Sequence, residues 1–264
     1  MHPKPVNMAF GGLWGAKNAP DSGIRERIKQ ARAVVGDVSG MSSEVLFELG
    51  FAYGLKKIII PAVATLSDVP ALPRWLGETQ LGHYADHAGI NGLLASIEAH
   101  LIDPEFSKPV VPAQPIPSLI VWPRLLQWNR HIFDQVSAIS QKEGLRIETF
   151  SDGTAEEIIL RRAGSAALLI VSLDGTSEDG LMHFLCGAVA AKPTAGYGTL
   201  RRMILAIEEP GHEGRSFLAE SVRRCSEIVR LIAISRLREE VGDFCKEYLR
   251  WSDNPKRQRQ KRRH

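Results

Sequence analysis

Cysteine is scarce in this 264-residue chain: Cys186, Cys225 and Cys245 stand far apart and outside any C-x-x-C spacing. That excludes a disulfide framework and a structural zinc site, so three reduced thiols are expected. No apolar run approaches the roughly 20 residues of a membrane-spanning helix. The opening MHPKPVNMAF lacks the basic region and long apolar core of a signal peptide. A cytoplasmic location is the expectation, with no membrane partner. Aromatic residues make up 7% of the chain, and the formal net charge is only +3. Even that excess is local. Lys256, Arg257, Arg259, Lys261, Arg262 and Arg263 all fall in NPKRQRQKRRH, leaving the preceding body mildly acidic. Without interleaved aromatics, the tail at 253–264 reads as a disordered, solvated terminus more than as a nucleic-acid-binding element.

Against these absences stands a composition fit for folding, 44% hydrophobic and 24% charged. Short apolar runs alternate with helical periodicity. In the second half, strands are expected near Leu119–Val121, Arg146–Phe150, Ala167–Ser172, Met203–Ile207 and Ile228–Ile234. Helices are expected to begin near Leu125, Ala155, Asp179, Ser216 and Leu237. The first half repeats the pattern less completely. Its strands lie near Val6–Phe10, Ala33–Asp37, Lys57–Val63 and Gln80–Tyr84, and its helices near Ser22–Arg32, Ser43–Leu55 and Ile90–Leu101. The fold class implied is α/β, with two tandem doubly wound, Rossmann-like or flavodoxin-like parallel-sheet domains, the first lacking its opening βα unit. The domains are drawn at 1–103 and 118–252. Between them DPEFSKPVVPAQPIP carries five prolines and reads as an extended linker, 104–117.

The most informative stretch is DVSGMSSEVLFELGFAYG, residues 37–54. Ala33–Val35 form a strand ending near Asp37, and Ser42 or Ser43 is placed to cap the next helix by accepting a backbone N–H bond. Val45, Leu49 and Ala52 share one face of that helix, with Leu46 and Tyr53 beside them, as packing against a sheet requires. Glu48 sits at the edge of this stripe. Its i,i+4 neighbours are Glu44 and Ala52, so no basic side chain pairs with it along the helix. Gly40 allows close approach of backbone to a ligand at a helix N-terminus, where anions and hydroxyls are favoured.

The arrangement D-x-S-G at Asp37–Gly40, followed by F-E-L-G-F-A-Y-G at Phe47–Gly54 with a lysine just after, resembles the nucleoside 2-deoxyribosyltransferase-like group and its TIR-like nucleotide-binding relatives. The resemblance is concentrated in residues 24–60. It implies a nucleotide or nucleoside as the small-molecule partner, with Glu48 as the catalytic nucleophile on the anomeric carbon. It further implies Asp37 and Ser39 positioning the sugar, and the loop from Gly40 to Ser43, with Ser42 in it, receiving a phosphate or hydroxyl. Many of these transferases carry an aspartate six residues before the glutamate, where this chain has Ser42.

FELGFA also lies over FLCGAV, placing Phe47 over Phe184, Gly50 over Gly187 and Glu48 over Leu185. The second copy thus lacks the carboxylate and reads as a scaffold, dimerisation surface or binding module. Two functions remain. One is a nucleotide- or nucleoside-binding module for sensing or assembly, and the other an N-glycosidic hydrolase or transferase acting on a nucleoside, nucleotide or NAD through Glu48. The missing βα unit, Ser42 and Leu185 favour binding. A second subunit, identical or different, would complete the first half if its pocket is shared.

Other candidates carry less. His83 and His87 have metal-pair spacing, but HYADH runs from strand into loop, so no metal and no cofactor is expected. His183 is a packed or solvent-facing imidazole, and Trp122 and Trp128 are packing residues. Gly12, in GGLWG after the first expected strand, is as readily part of a ligand loop as of an ordinary turn.

Overall fold

The computed structural model describes residues 22–40, 42–64, 82–102, 118–151, 153–174, 179–191, 203–211 and 228–252. The expected strand at Val6–Phe10, the glycine run with Gly12, the linker, Cys225, the helix near Ser216 and the basic tail lie outside them. The first half contains α1 (Ser22–Gln30), β1 (Ala33–Asp37), α2 (Ser43–Gly54), β2 (Ile58–Val63), β3 (Gly82–His83) and α3 (His87–Ile102). In the second half are β4 (Leu119–Val121), α4 (Arg130–Lys142), β5 (Arg146–Glu148), α5 (Glu156–Ala163) and β6 (Leu168–Leu173). It continues with α6 (Asp179–Ala190), β7 (Met203–Glu208), β8 (Val229–Ile232) and α7 (Leu237–Ser252). The protein is α/β, with a three-stranded sheet ordered β1-β2-β3 and a five-stranded sheet ordered β5-β4-β6-β7-β8, every pairing parallel. Among the described residues, no helix is long and apolar enough to cross a membrane.

Period-2 alternation sorts the second sheet onto two cores. Leu119, Val121, Leu169, Val171 and Ala206 face one core, whereas Ile120, Trp122, Leu168, Ile170, Leu205 and Ile207 face the other, closed by residues of α4 and α7. The first core continues into the first half through Leu46, Phe47, Leu49, Phe51 and Val63. The halves therefore share one buried cluster.

That sharing corrects the sequence reading of α2. The periodicity predicts a sheet-facing stripe of Val45, Leu49 and Ala52 with Leu46 and Tyr53 beside it. Instead Leu46, Phe47, Leu49, Gly50, Phe51, Ala52 and Gly54 are all buried, while Val45 and Tyr53 are only partly so. The reason is a second packing partner. One face of α2 lies on β1 and β2, and the other meets α6 in the most extensive contact between any two described elements. A helix apolar nearly all round is buried nearly all round.

The contact depends on glycine. A Cβ on Gly50 would collide with the carbonyl of Phe184, and one on Gly187 with the carbonyl of Phe47. These two contacts exchange under the overlay of Phe47 on Phe184 and Gly50 on Gly187. Further along, Gly54 meets Ala188 and Ala191, so both helices advance in the same sense. Tyr53 adds its ring against Phe184, centroids 5.4 Å apart.

Two boundaries moved for local reasons. The helix expected from Ile90 starts at His87 because Asp86 caps it: Gly89 N–H donates to Asp86 Oδ1 at 2.7 Å. The helix expected from Leu125 starts at Arg130. Pro123 restricts the residue before it, Leu126 is extended, and a 3₁₀ turn at Gln127–Asn129 intervenes.

Both glycine positions can be tested by substitution. Gly50→Ala and Gly187→Ala are each expected to destabilise by about 1–3 kcal/mol, through overpacking against backbone that has little room to move. Gly242→Ala, on α7 with open space around it, is expected to stabilise by up to about 1 kcal/mol. Urea unfolding of the three variants checks the contrast in sign.

His183, on α6, is 4% exposed, and its Nδ1 has no partner. Burial pulls its pKa down from 6.5 to about 4, so it is packed and neutral at physiological pH. Because the unfolded chain takes up this proton first, stability falls as pH drops from 6.5 towards 4. His183→Gln is expected to remove up to roughly 3 kcal/mol of that pH dependence, read from denaturation midpoints across this window.

Candidate functional site

Sheet register assembles the site. Asp37 closes β1 opposite Ala62, and Val63 of β2 stands opposite His83 of β3. The next residues continue the ladder: Val38 N–H donates to Ala62 O at 2.8 Å, and Tyr84 N–H to Val63 O at 3.2 Å. Asp37, Ala64 and Tyr84 therefore emerge together at the carboxyl ends of three parallel strands, the edge at which open α/β sheets bind ligands.

Hydrogen bonds tie this edge into one unit. Asp37 Oδ1 accepts from the Ser39 amide at 3.0 Å and from the Ser39 hydroxyl at 2.7 Å. Ser39 Oγ in turn accepts from Ala64 N–H at 2.7 Å. The Tyr84 hydroxyl donates to Asp37 Oδ2 at 2.6 Å. Burial pushes the Asp37 pKa up, but the bonds from Tyr84 and Ser39 outweigh it and hold the carboxyl below its ordinary value of 3.8. Asp37 is thus an anionic acceptor at neutral pH. An ionised carboxylate offers roughly four acceptor positions. Three are taken by the protein.

Ser39 spends its only donor on Asp37, so its first duty is to shape the loop. Gly40 has open space where a side chain would stand. Ser42 occupies the N-cap of α2 and its carbonyl accepts from Leu46 N–H at 3.0 Å, yet its hydroxyl makes no capping bond. The expected side-chain cap at Ser42 is therefore corrected: its extended backbone serves, and the hydroxyl remains exposed. Glu48 lies in the second turn of α2. It is partly buried between the fully buried Phe47 and Leu49, neither sealed in the core nor wholly in solvent. Gly12 lies outside the described residues.

The residue that sequence reasoning missed is Tyr84. It was read as the end of a strand, and only the parallel register of β1, β2 and β3 carries it to Asp37. Its side of the contact is open, with 36% of the residue exposed. His83 and His87 sit on different elements, a strand and a helix start, and among the described residues no histidine, cysteine or carboxylate cluster could hold a metal ion.

No protein-family model matches the chain, and neither does any curated protein. Among solved structures, the rubredoxin oxygen:oxidoreductase from the anaerobe Desulfovibrio gigas is similar at 7% identity and a TM-score of 0.38, over 63% of this chain and 42% of that one. A likeness at that level carries no argument about function. The chain spans less than half the length of that structure.

The Tyr84 bond is open to direct test. Tyr84→Phe is expected to raise the Asp37 pKa, measured by carboxyl NMR titration. The stability that the depressed pKa confers is present above pH 3.8 and lost as pH falls through the lower folded value. The stability gap between the unaltered chain and Tyr84→Phe should therefore close in acid.

Proposed function

We propose that the first half binds a nucleoside or nucleotide at the carboxyl ends of β1, β2 and β3. The observation that carries this reading is the Asp37–Tyr84 pair, an ionised carboxylate beside a partly exposed phenol. The remaining acceptor position of Asp37 suits a sugar hydroxyl. The start of α2 at Ser43, three residues on from the open Gly40, offers backbone amides to a phosphate or a second hydroxyl. The likeness of Asp37–Gly40 and Phe47–Gly54 to the deoxyribosyltransferase-like group supports the same ligand class.

Binding without turnover is the reading we favour. Asp37 is held in its charged form, so it is a poor proton donor to a departing base, and its hydrogen bonds are spent on fixing the loop. The second reading, N-glycosidic cleavage or transfer with Glu48 as nucleophile, draws on the partial burial of Glu48 in an apolar helix. Such a carboxylate suits an oxocarbenium-like transition state.

A panel of nucleosides, nucleotides and NAD separates the two. A bound ligand present at 100 times its Kd is expected to stabilise the chain by about 2.7 kcal/mol, seen as a rise in Tm without release of free base. Gly40→Ala, which adds a methyl group in open space, should leave the ligand-free Tm unchanged and weaken that rise. Base release that disappears in Glu48→Gln would establish the enzymatic reading instead. If no member of the panel shifts Tm or is cleaved, both readings fall.

A further inference from the structure

The five-stranded sheet has its own switch point. From β4 the chain passes through α4 to β5 on one side, then through α5 to β6 on the other, so the order reverses between β4 and β6. Ligands of open α/β sheets bind outside the carboxyl ends of the strands at such a point.

Polar side chains gather there beside β4 and β6, two strands that are otherwise apolar. Ser172 is the one polar residue of β6, and its hydroxyl oxygen accepts from Trp122 Nε1 at 2.8 Å and from the Asn129 amide at 2.5 Å. Trp122 and Asn129 are both fully buried. Arg124, just past β4, pairs with Asp174, just past β6, at 3.4 Å, and both are mostly buried. Asp174 also falls over Asp37 when Phe184 is laid over Phe47.

Three side-chain atoms in this stretch are unmatched, one of them Nε of Arg124, whose guanidinium engages Asp174 through its other end. The Asn129 side-chain oxygen is buried with no hydrogen-bond partner, and so is Nε1 of the adjacent Trp128. Exchanging the two ends of the Asn129 amide does not help, because Ser172 engages only one of them. Buried polar groups ordinarily find partners. Ser140 and Ser165 do so within their own stretches, donating to the carbonyls of Val136 and Arg161.

We propose that the second half holds a binding site of its own, in which Asn129 and Trp128 recognise a planar, uncharged heterocycle or carboxamide carrying a donor and an acceptor on neighbouring atoms. A purine edge and the carboxamide of nicotinamide share that chemistry. An amide pairs with a donor–acceptor edge in two parallel hydrogen bonds, as asparagine does with adenine, and the indole N–H supplies one more donor. The flanking charges of Arg124 and Asp174 cancel, which favours an uncharged group over a free anion. Entry requires the short turn Gln127–Asn129 to lift; locally, Asn129 N–H donates to Leu126 O at 3.1 Å. Leu185 stands where Glu48 stands in the first half, so the site binds without a nucleophile. The inference does not rest on the first-half pocket.

The Trp128 indole proton reports on this site alone. The ¹⁵N-labelled full chain is titrated with adenine and, separately, with nicotinamide, and Trp128→Phe identifies the resonance by its loss. A saturable shift of that resonance with either compound is expected, and its affinity should weaken at least tenfold in Asn129→Ala. A shift with adenine alone would assign the purine edge, and one with nicotinamide alone the carboxamide. If Asn129→Ala does not fold, the unaltered chain still decides the matter. A Trp128 indole resonance unmoved by both compounds at millimolar concentration would overturn the proposal, as would an undiminished shift in folded Asn129→Ala.

Discussion

Backbone-to-backbone contact between α2 and α6 is the constraint from which the rest of the structure follows. Gly50 admits the Phe184 carbonyl and Gly187 admits the Phe47 carbonyl, so two helices that each cover a sheet also cover one another. The helix pair lies between the two sheets, and one hydrophobic cluster runs through all of these elements. This explains why α2 has so little polar surface to offer. Glu48 is one of its few polar side chains, set in a helix whose position is fixed from both sides. A carboxylate on such a helix is held in place by packing rather than by a surface loop.

The first-half site is an outcome of sheet register more than of any motif. Parallel pairing brings the ends of β1, β2 and β3 level, and each end contributes one group: Asp37, the Ala64 amide and Tyr84. Ser39 bridges the first two. The network keeps Asp37 charged while leaving part of its acceptor capacity unused, a state suited to receiving a hydroxyl and poorly suited to delivering a proton. This balance is the ground on which we propose a binding module over a glycosidase. It depends on Tyr84 as much as on the D-x-S-G segment.

Strands and helices were legible in the sequence because their apolar periodicity is strong. Ala33–Asp37 and Leu119–Val121 fall where alternation and composition place them, and the internal overlay aligns the two glycines that meet across α2 and α6. The sequence was silent where the cause is tertiary. Phe51 and Gly54 are buried because α6 is there, which no local pattern records. Tyr84 reaches Asp37 across 47 residues, a pairing set by strand register. Ser42 carries the right side chain for a cap, but its hydroxyl does not make the bond. The Asn129–Ser172–Trp122 cluster was likewise hidden, because two tryptophans at a strand end and a helix start look like packing alone until their hydrogen bonds are seen.

Hydrogen exchange read by mass spectrometry, with and without a nucleoside or nucleotide that raises Tm, tests the central claim most directly. The account expects slowed exchange in peptides covering residues 37–48 and 82–86, where the strand ends and the start of α2 would meet the ligand. Protection confined to other regions, with these two segments exchanging as fast as in the free chain, would contradict it.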